Sequence, residues 1–176
     1  MDKPTYTSQA DEEFFGAIGR LVISWAHIET GIDFTVAVAY HDLGGNEFEE
    51  KPWSLDGKIK FLKKCYSRLE GLKSLREIGP PLLDEVKDAS RIRQRIIHGF
   101  IVDHPEGSGE ADMIQLLRGG APNAHVRFTV TTKDILKAAV AANKLATRSL
   151  GIGTLLLQVR AELLDKINKT SSELSG

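Results

Sequence analysis

Cysteine is almost missing from this 176-residue chain: Cys65 stands alone. A single thiol cannot close an intramolecular disulfide, so the fold must rest on burial, and a reducing, cytoplasmic setting is expected. An excess of either charge is missing too. The 23 Lys and Arg balance 24 Asp and Glu to a net charge of -1, which excludes a histone-like or arm-type nucleic-acid binder and leaves only a local patch to attract anions. Charge interrupts every apolar stretch well short of ~20 residues. The opening Met1-Asp2-Lys3-Pro4 has neither the basic nor the apolar region of a secretory signal, so no membrane association is expected. What remains is 41% apolar and 27% charged residues, the composition of an ordinary globular protein. At this length a single domain over residues 1–176 is expected, with 1–10 and 170–176 disordered.

Apolar periodicity then gives the elements. Phe14, Ile18, Leu21, Trp25, Ile28, Ile32, Thr35 and Ala39 alternate steps of four and three, the stripe of a long amphipathic helix over Asp11 to Tyr40. Leu43-Gly44-Gly45-Asn46 breaks it, and Ser54 opens a second helix with its stripe on Leu55, Ile59, Leu62, Tyr66, Leu69 and Leu72, fraying near Gly71. Gly79-Pro80-Pro81 starts a third, because proline's missing N–H costs nothing in a first turn; its stripe predicts that it runs to about Phe100. The period then shortens towards two. Runs at 101–104, 113–117 and 126–130, separated by Pro105-Glu106-Gly107-Ser108-Gly109 and Gly119-Gly120-Ala121-Pro122-Asn123, predict a small antiparallel β-meander inserted over 101–130. Thr131-Thr132-Lys133-Asp134 reads as a capping box. It opens a last helix striped on Ile135, Ala138, Ala142, Leu145, Ser149, Ile152, Leu156, Val159 and Leu163, with Gly151 and Gly153 as sites for a kink. The expected class is all-α, four principal helices with one small sheet, and the alternative is α+β.

Chemistry concentrates in the third helix. From Lys87 to His98 there are four cations and one anion, a local charge of +3 on a chain of -1. Arg93 falls where the apolar stripe of Leu82, Val86, Ala89 and Ile96 should continue, and a guanidinium on a buried face needs a carboxylate, a bound anion or a second subunit. On a helical wheel Arg93 and His98 stand roughly 140° apart. One helix would then fail to close both on a small ligand, which favours a two-fold homodimer that brings two copies of the helix together. Gln94, one turn before His98, is placed to hydrogen-bond it.

Arg93-Gln94-x-x-x-His98, ending a helix in a mostly helical chain whose first helix carries Trp25-Ala26-His27-Ile28-Glu29, resembles the Arg-x4-6-His motif of HEPN domains. The resemblance spans about residues 11–168, while its specific part is the six-residue motif, with Gln94 where the family often has asparagine. It implies a HEPN-like helical bundle and a homodimer. It also implies a metal-independent endoribonuclease of toxin or defence type, with Arg93 neutralising the scissile phosphate, His98 acting as general acid or base, and Gln94 orienting them. Arg91 and Arg95 would add phosphate attraction, and an antitoxin or nucleotidyltransferase would be the partner. The alternative is a non-catalytic HEPN-like module that binds nucleotide, RNA or a partner protein.

Each residue also has a plainer role open to it. Arg93 can form a salt bridge with Glu29, and His98 can sit at a helix C-terminus before the helix-breaking Gly99. Arg91 and Arg95 can be solvated, Trp25 can be core, and Cys65 can be a packing thiol. His98, Asp103, His104 and His125 lack metal-ligand spacing, and no phosphate loop is present. No metal and no cofactor is expected.

Overall fold

The computed structural model describes residues 8–116 and 124–174 of the protein. They form four α-helices, α1 (Gln9–His41), α2 (Leu55–Arg68), α3 (Gly79–Ile97) and α4 (Thr132–Leu174), and three strands, β1 (Phe100–Asp103), β2 (Glu110–Leu116) and β3 (His125–Thr131). Short 3-10 turns occupy Gly45–Glu47 and Glu70–Leu75. The chain is mostly helical with one small antiparallel sheet ordered β1-β2-β3.

Local chemistry sets the boundaries. Gly44 takes φ +85°, a left-handed conformation that glycine adopts without strain, and turns the chain out of α1. The Ser54 hydroxyl accepts a hydrogen bond from the Gly57 amide and caps α2. At α4 the capping box is reciprocal: Asp134 N donates to Thr131 Oγ1 at 3.1 Å, and Thr131 N donates to Asp134 Oδ2 at 3.3 Å. Several boundaries differ from the sequence pattern: α1 already starts at Gln9, within the stretch 1–10 expected to be disordered, and β2 starts at Glu110 instead of 113, where Glu110 pairs with Thr131. The helix of Arg93 ends at Ile97 instead of Phe100, because Phe100 pairs with Ile114 as the first residue of β1. The last helix continues past Thr170 to Leu174 and passes Gly151 and Gly153 without a break. The expected disorder over 1–7 and at 175–176, and the glycine-rich turn 119–123, lie outside the described residues.

Backbone contacts divide the chain into two compact units. The first joins the chain up to Ala26 to Asp88–Lys144, so it holds the start of α1, the end of α3, the sheet and the start of α4. Its interior gathers Phe14, Ala17, Leu21, Trp25, Ile96, Met113, Val130 and Ile135, all buried. β2 pairs with β3 in regular register from Glu110↔Thr131 to Leu116↔His125, so Ala111, Met113, Val130 and Phe128 share one face. The register between β1 and β2 slips once, between Ile101 and Asp103.

The second unit joins His27–Lys87 to the chain from Leu145 onward. Its core holds Ile28, Ile32, Val36, Ile59, Phe61, Leu62, Tyr66, Leu72, Ile152 and Leu156. Each such side chain contributes about 1.5–3 kcal/mol on burial, and the predicted stripes supply most of them. Gly31 and Gly153 allow close approach there: a Cβ at Gly31 would stand 2.9 Å from Ser149 Cβ, and one at Gly153 would stand 2.8 Å from the Phe34 ring. α1 is also long and apolar enough, by length and composition, to cross a membrane, with half of the qualifying stretch buried inside the protein.

Candidate functional site

Arg93 sits in the last turns of α3, half-buried as its place in the stripe requires. Its guanidinium lies 5.8 Å from the ring centre of the buried Trp25, a cation–π contact that supports a charge on an apolar face. His98 stands just beyond the helix end, exposed, with its amide donating to the Gln94 carbonyl at 3.1 Å. Arg93 Nη1 and His98 Nε2 are 3.0 Å apart. A guanidinium has only donors, so Nε2 accepts and the ring hydrogen resides on Nδ1.

This pair overturns the helical-wheel expectation. The 140° separation holds only while both residues are helical; because α3 stops at Ile97, the chain turns at His98 and brings the imidazole back onto Arg93 within one copy. Gln94 also acts differently from its expected role. Its backbone carbonyl receives the His98 amide and, at 3.5 Å, the Gln115 side-chain amide, while its own side chain makes no hydrogen bond among the described residues.

Gly99 follows with an ordinary negative φ, so it is no left-handed cap. A Cβ there would stand 2.6 Å from the Arg95 carbonyl oxygen, 2.8 Å from Met113 Cε and 3.4 Å from Phe128 Cζ. The absent side chain lets β2 and β3 close over the end of α3.

Two further cations flank the pair. Arg91 is exposed and 3.6 Å from Asp88, one turn earlier. Arg95 lies over the Phe128 ring, 4.5 Å from its centre. Glu29 occupies a half-buried position on α1 within the second unit.

A second polar cluster, invisible in the sequence, ties the start of α1 to the loop after β1. His104 Nε2 meets Asp11 Oδ1 at 2.9 Å and His104 Nδ1 meets the Glu110 carbonyl at 2.5 Å, with both side chains nearly enclosed. Both ring nitrogens face oxygen atoms, so the ring bridges the start of α1 to the start of β2. The ring sits 4.9 Å from Phe14 and 5.5 Å from Phe15. The Ser8 hydroxyl foremost, then the Gly107 amide and His104, hold the Asp11 carboxyl below its ordinary range against the opposing effect of burial. Ninety-three residues separate Asp11 from His104, so no local spacing could announce them. Enclosure makes this cluster a clasp for the fold, whereas His98 is exposed to solvent.

Among the described residues, no group of three or more His, Cys, Asp and Glu side chains is placed to hold a metal ion. No family model, no curated protein and no solved structure matches the chain.

Proposed function

We propose that the chain is a HEPN-like, metal-independent endoribonuclease of toxin or defence type, acting in the cytoplasm with Arg93 and His98 as its catalytic pair. The observation that carries the proposal is the 3.0 Å approach of Arg93 Nη1 to an accepting His98 Nε2 at an exposed helix end. A phosphodiester entering this corner takes over the guanidinium donors and frees Nε2 to accept a proton. The 2′-oxygen then attacks the adjacent phosphorus, its proton passes to His98 Nε2, and Arg93 stabilises the charge on the phosphoryl oxygens. The bond from phosphorus to the 5′-oxygen breaks, giving a 2′,3′-cyclic phosphate and a 5′-hydroxyl once that oxygen is protonated. RNA is the substrate class because it carries the internal nucleophile.

A histidine that accepts the first proton leaves the departing oxygen in need of an acid. A second copy, supplying its own His98 across a two-fold axis, would provide it, so the working form is proposed as a homodimer. β1 offers a surface for self-association, since Phe100, Ile101 and Val102 are 63%, 42% and 51% exposed. Gln94 serves as a backbone support, Arg91 and Arg95 add attraction for the phosphate chain, and an antitoxin or nucleotidyltransferase is the proposed regulator. The competing reading is a module that binds RNA or nucleotide without cutting it, favoured by the hold of Trp25 on Arg93, which resists rearrangement.

Cleavage of single-stranded RNA in EDTA decides between them. Cyclic phosphate ends that disappear in both His98→Ala and Arg93→Ala support the nuclease. Wild-type protein that binds RNA but never cuts it supports the module. Sedimentation at micromolar concentration giving a single chain refutes the homodimer.

A further inference from the structure

Beside the catalytic pair, in the first unit, a cavity of about 190 Å³ opens between α3, β3 and the start of α4, lined by Arg95, Ile96, Phe128, Val130 and Asp134 among others. Its composition is unusual for a gap in packing. The walls are mostly apolar and aromatic, yet Arg95 and Asp134 are both among the lining residues.

Arg95 lies over the Phe128 ring, 4.5 Å from its centre, instead of against an acid. It forms no ion pair among the described residues, with Asp134 or with any other carboxylate. A guanidinium over a ring uses its charge for the contact and leaves N–H groups free for acceptors. Asp134 is also preorganised. Its Oδ2 accepts from Thr131 Oγ1 at 2.8 Å and from the Thr131 amide, contacts that hold the carboxyl below its ordinary range and keep it ionised. Its other oxygen has no hydrogen bond among the described residues.

We infer that this cavity is a base-recognition subsite selective for guanine, with Arg95 facing the O6 and N7 acceptors and Asp134 facing the N1 and N2 donors. A guanidinium and a carboxylate that share one slot without pairing are complementary to a ligand edge carrying both acceptors and donors. Guanine presents that combination: bidentate arginine is its commonest specific contact, and a carboxylate can receive its N–H groups. Adenine puts a donor where Arg95 would meet O6. Cytosine and uracil are smaller and lack the N7 acceptor.

The inference rests on the reading of Arg93 and His98 as an RNA site, and the slot is placed to serve it. Arg95 lies three residues before His98, and Phe128 abuts Gly99, the residue after it. A guanine seated here would fix which phosphodiester reaches the histidine.

Titration with 5′-GMP, 5′-AMP, 5′-CMP, 5′-UMP and inorganic phosphate, followed by calorimetry or amide NMR, tests the slot without requiring cleavage. GMP is expected to bind roughly tenfold more tightly than the other nucleotides. Arg95→Met, which retains an apolar stem over Phe128, should abolish that preference. Asp134→Asn keeps an acceptor for Thr131 but can turn donors into the slot, and should reduce or reverse it. His98→Ala should leave it intact. Equal binding of all four nucleotides, no nucleotide binding, or a preference that survives Arg95→Met would overturn the subsite. Thermal melts confirm that each variant is folded. RNA cleavage without guanine preference would sink the subsite alone, whereas guanine preference without cleavage would sink the nuclease alone.

Discussion

Replacing glycine by alanine at two positions should change stability in opposite directions. Gly16 lies inside α1, and a Cβ there would meet nothing within 4 Å. Alanine removes the entropic penalty of glycine in a helix interior, so Gly16→Ala should stabilise by about 0.5–1 kcal/mol. Gly99 is the reverse case. Its Cβ would stand 2.6 Å from the Arg95 carbonyl oxygen, which is backbone and can yield only if the last turn of α3 opens. Met113 Cε, at 2.8 Å, is the flexible end of a side chain and yields cheaply. Overpacking of this kind costs about 1–3 kcal/mol. For a chain of this size the melting temperature should fall by roughly 2–4 °C per kcal/mol, and should rise correspondingly for Gly16→Ala. Urea titration of each variant gives the energies. Adding Met113→Ala to Gly99→Ala should not restore stability, because the carbonyl contact remains. A Gly99→Ala protein within 0.5 kcal/mol of wild type, or a destabilised Gly16→Ala, would refute the close-approach account.

Three further outcomes follow from buried polar groups and carboxylates. Ser149 Oγ is buried with no hydrogen-bond partner among the described residues, so Ser149→Ala should be neutral or stabilising by up to about 1 kcal/mol in urea titration; a loss of more than that would reveal a hidden partner. Burial pushes the Cys65 thiol up to about 11, so at pH 8 iodoacetamide should label it only after denaturation, and rapid labelling of the native protein would contradict its placement. Asp11, Asp112, Asp134 and Glu85 all have folded values held below their ordinary 3.8 or 4.5. Their contribution is therefore complete above about pH 5 and is lost as pH falls through the lower folded values, since the unfolded chain takes up protons first. Stability measured from pH 6 to pH 3 should decline, less steeply in Asp11→Asn; a flat or rising profile would refute the assignment.

Periodicity alone determined most of the secondary structure. The stripes on Phe14 to Ala39, Ile59 to Tyr66 and Ile135 to Leu156 became core because a helix with one apolar face has few ways to hide it. Turn and capping chemistry at Gly44, Ser54 and Thr131 acted within a few residues and was equally legible. The basic run and the intruding Arg93 could also be picked out, since each breaks a local pattern. Tertiary structure decided what those residues do. Whether His98 faces Arg93 depends on α3 stopping at Ile97, which depends on Phe100 entering a sheet whose partner strand begins ten residues later. Asp11 and His104, Arg95 and Phe128, and Gly99 beneath Met113 are contacts between distant segments. Side-chain period reports which face of an element is buried, but packing between elements chooses which atoms meet there.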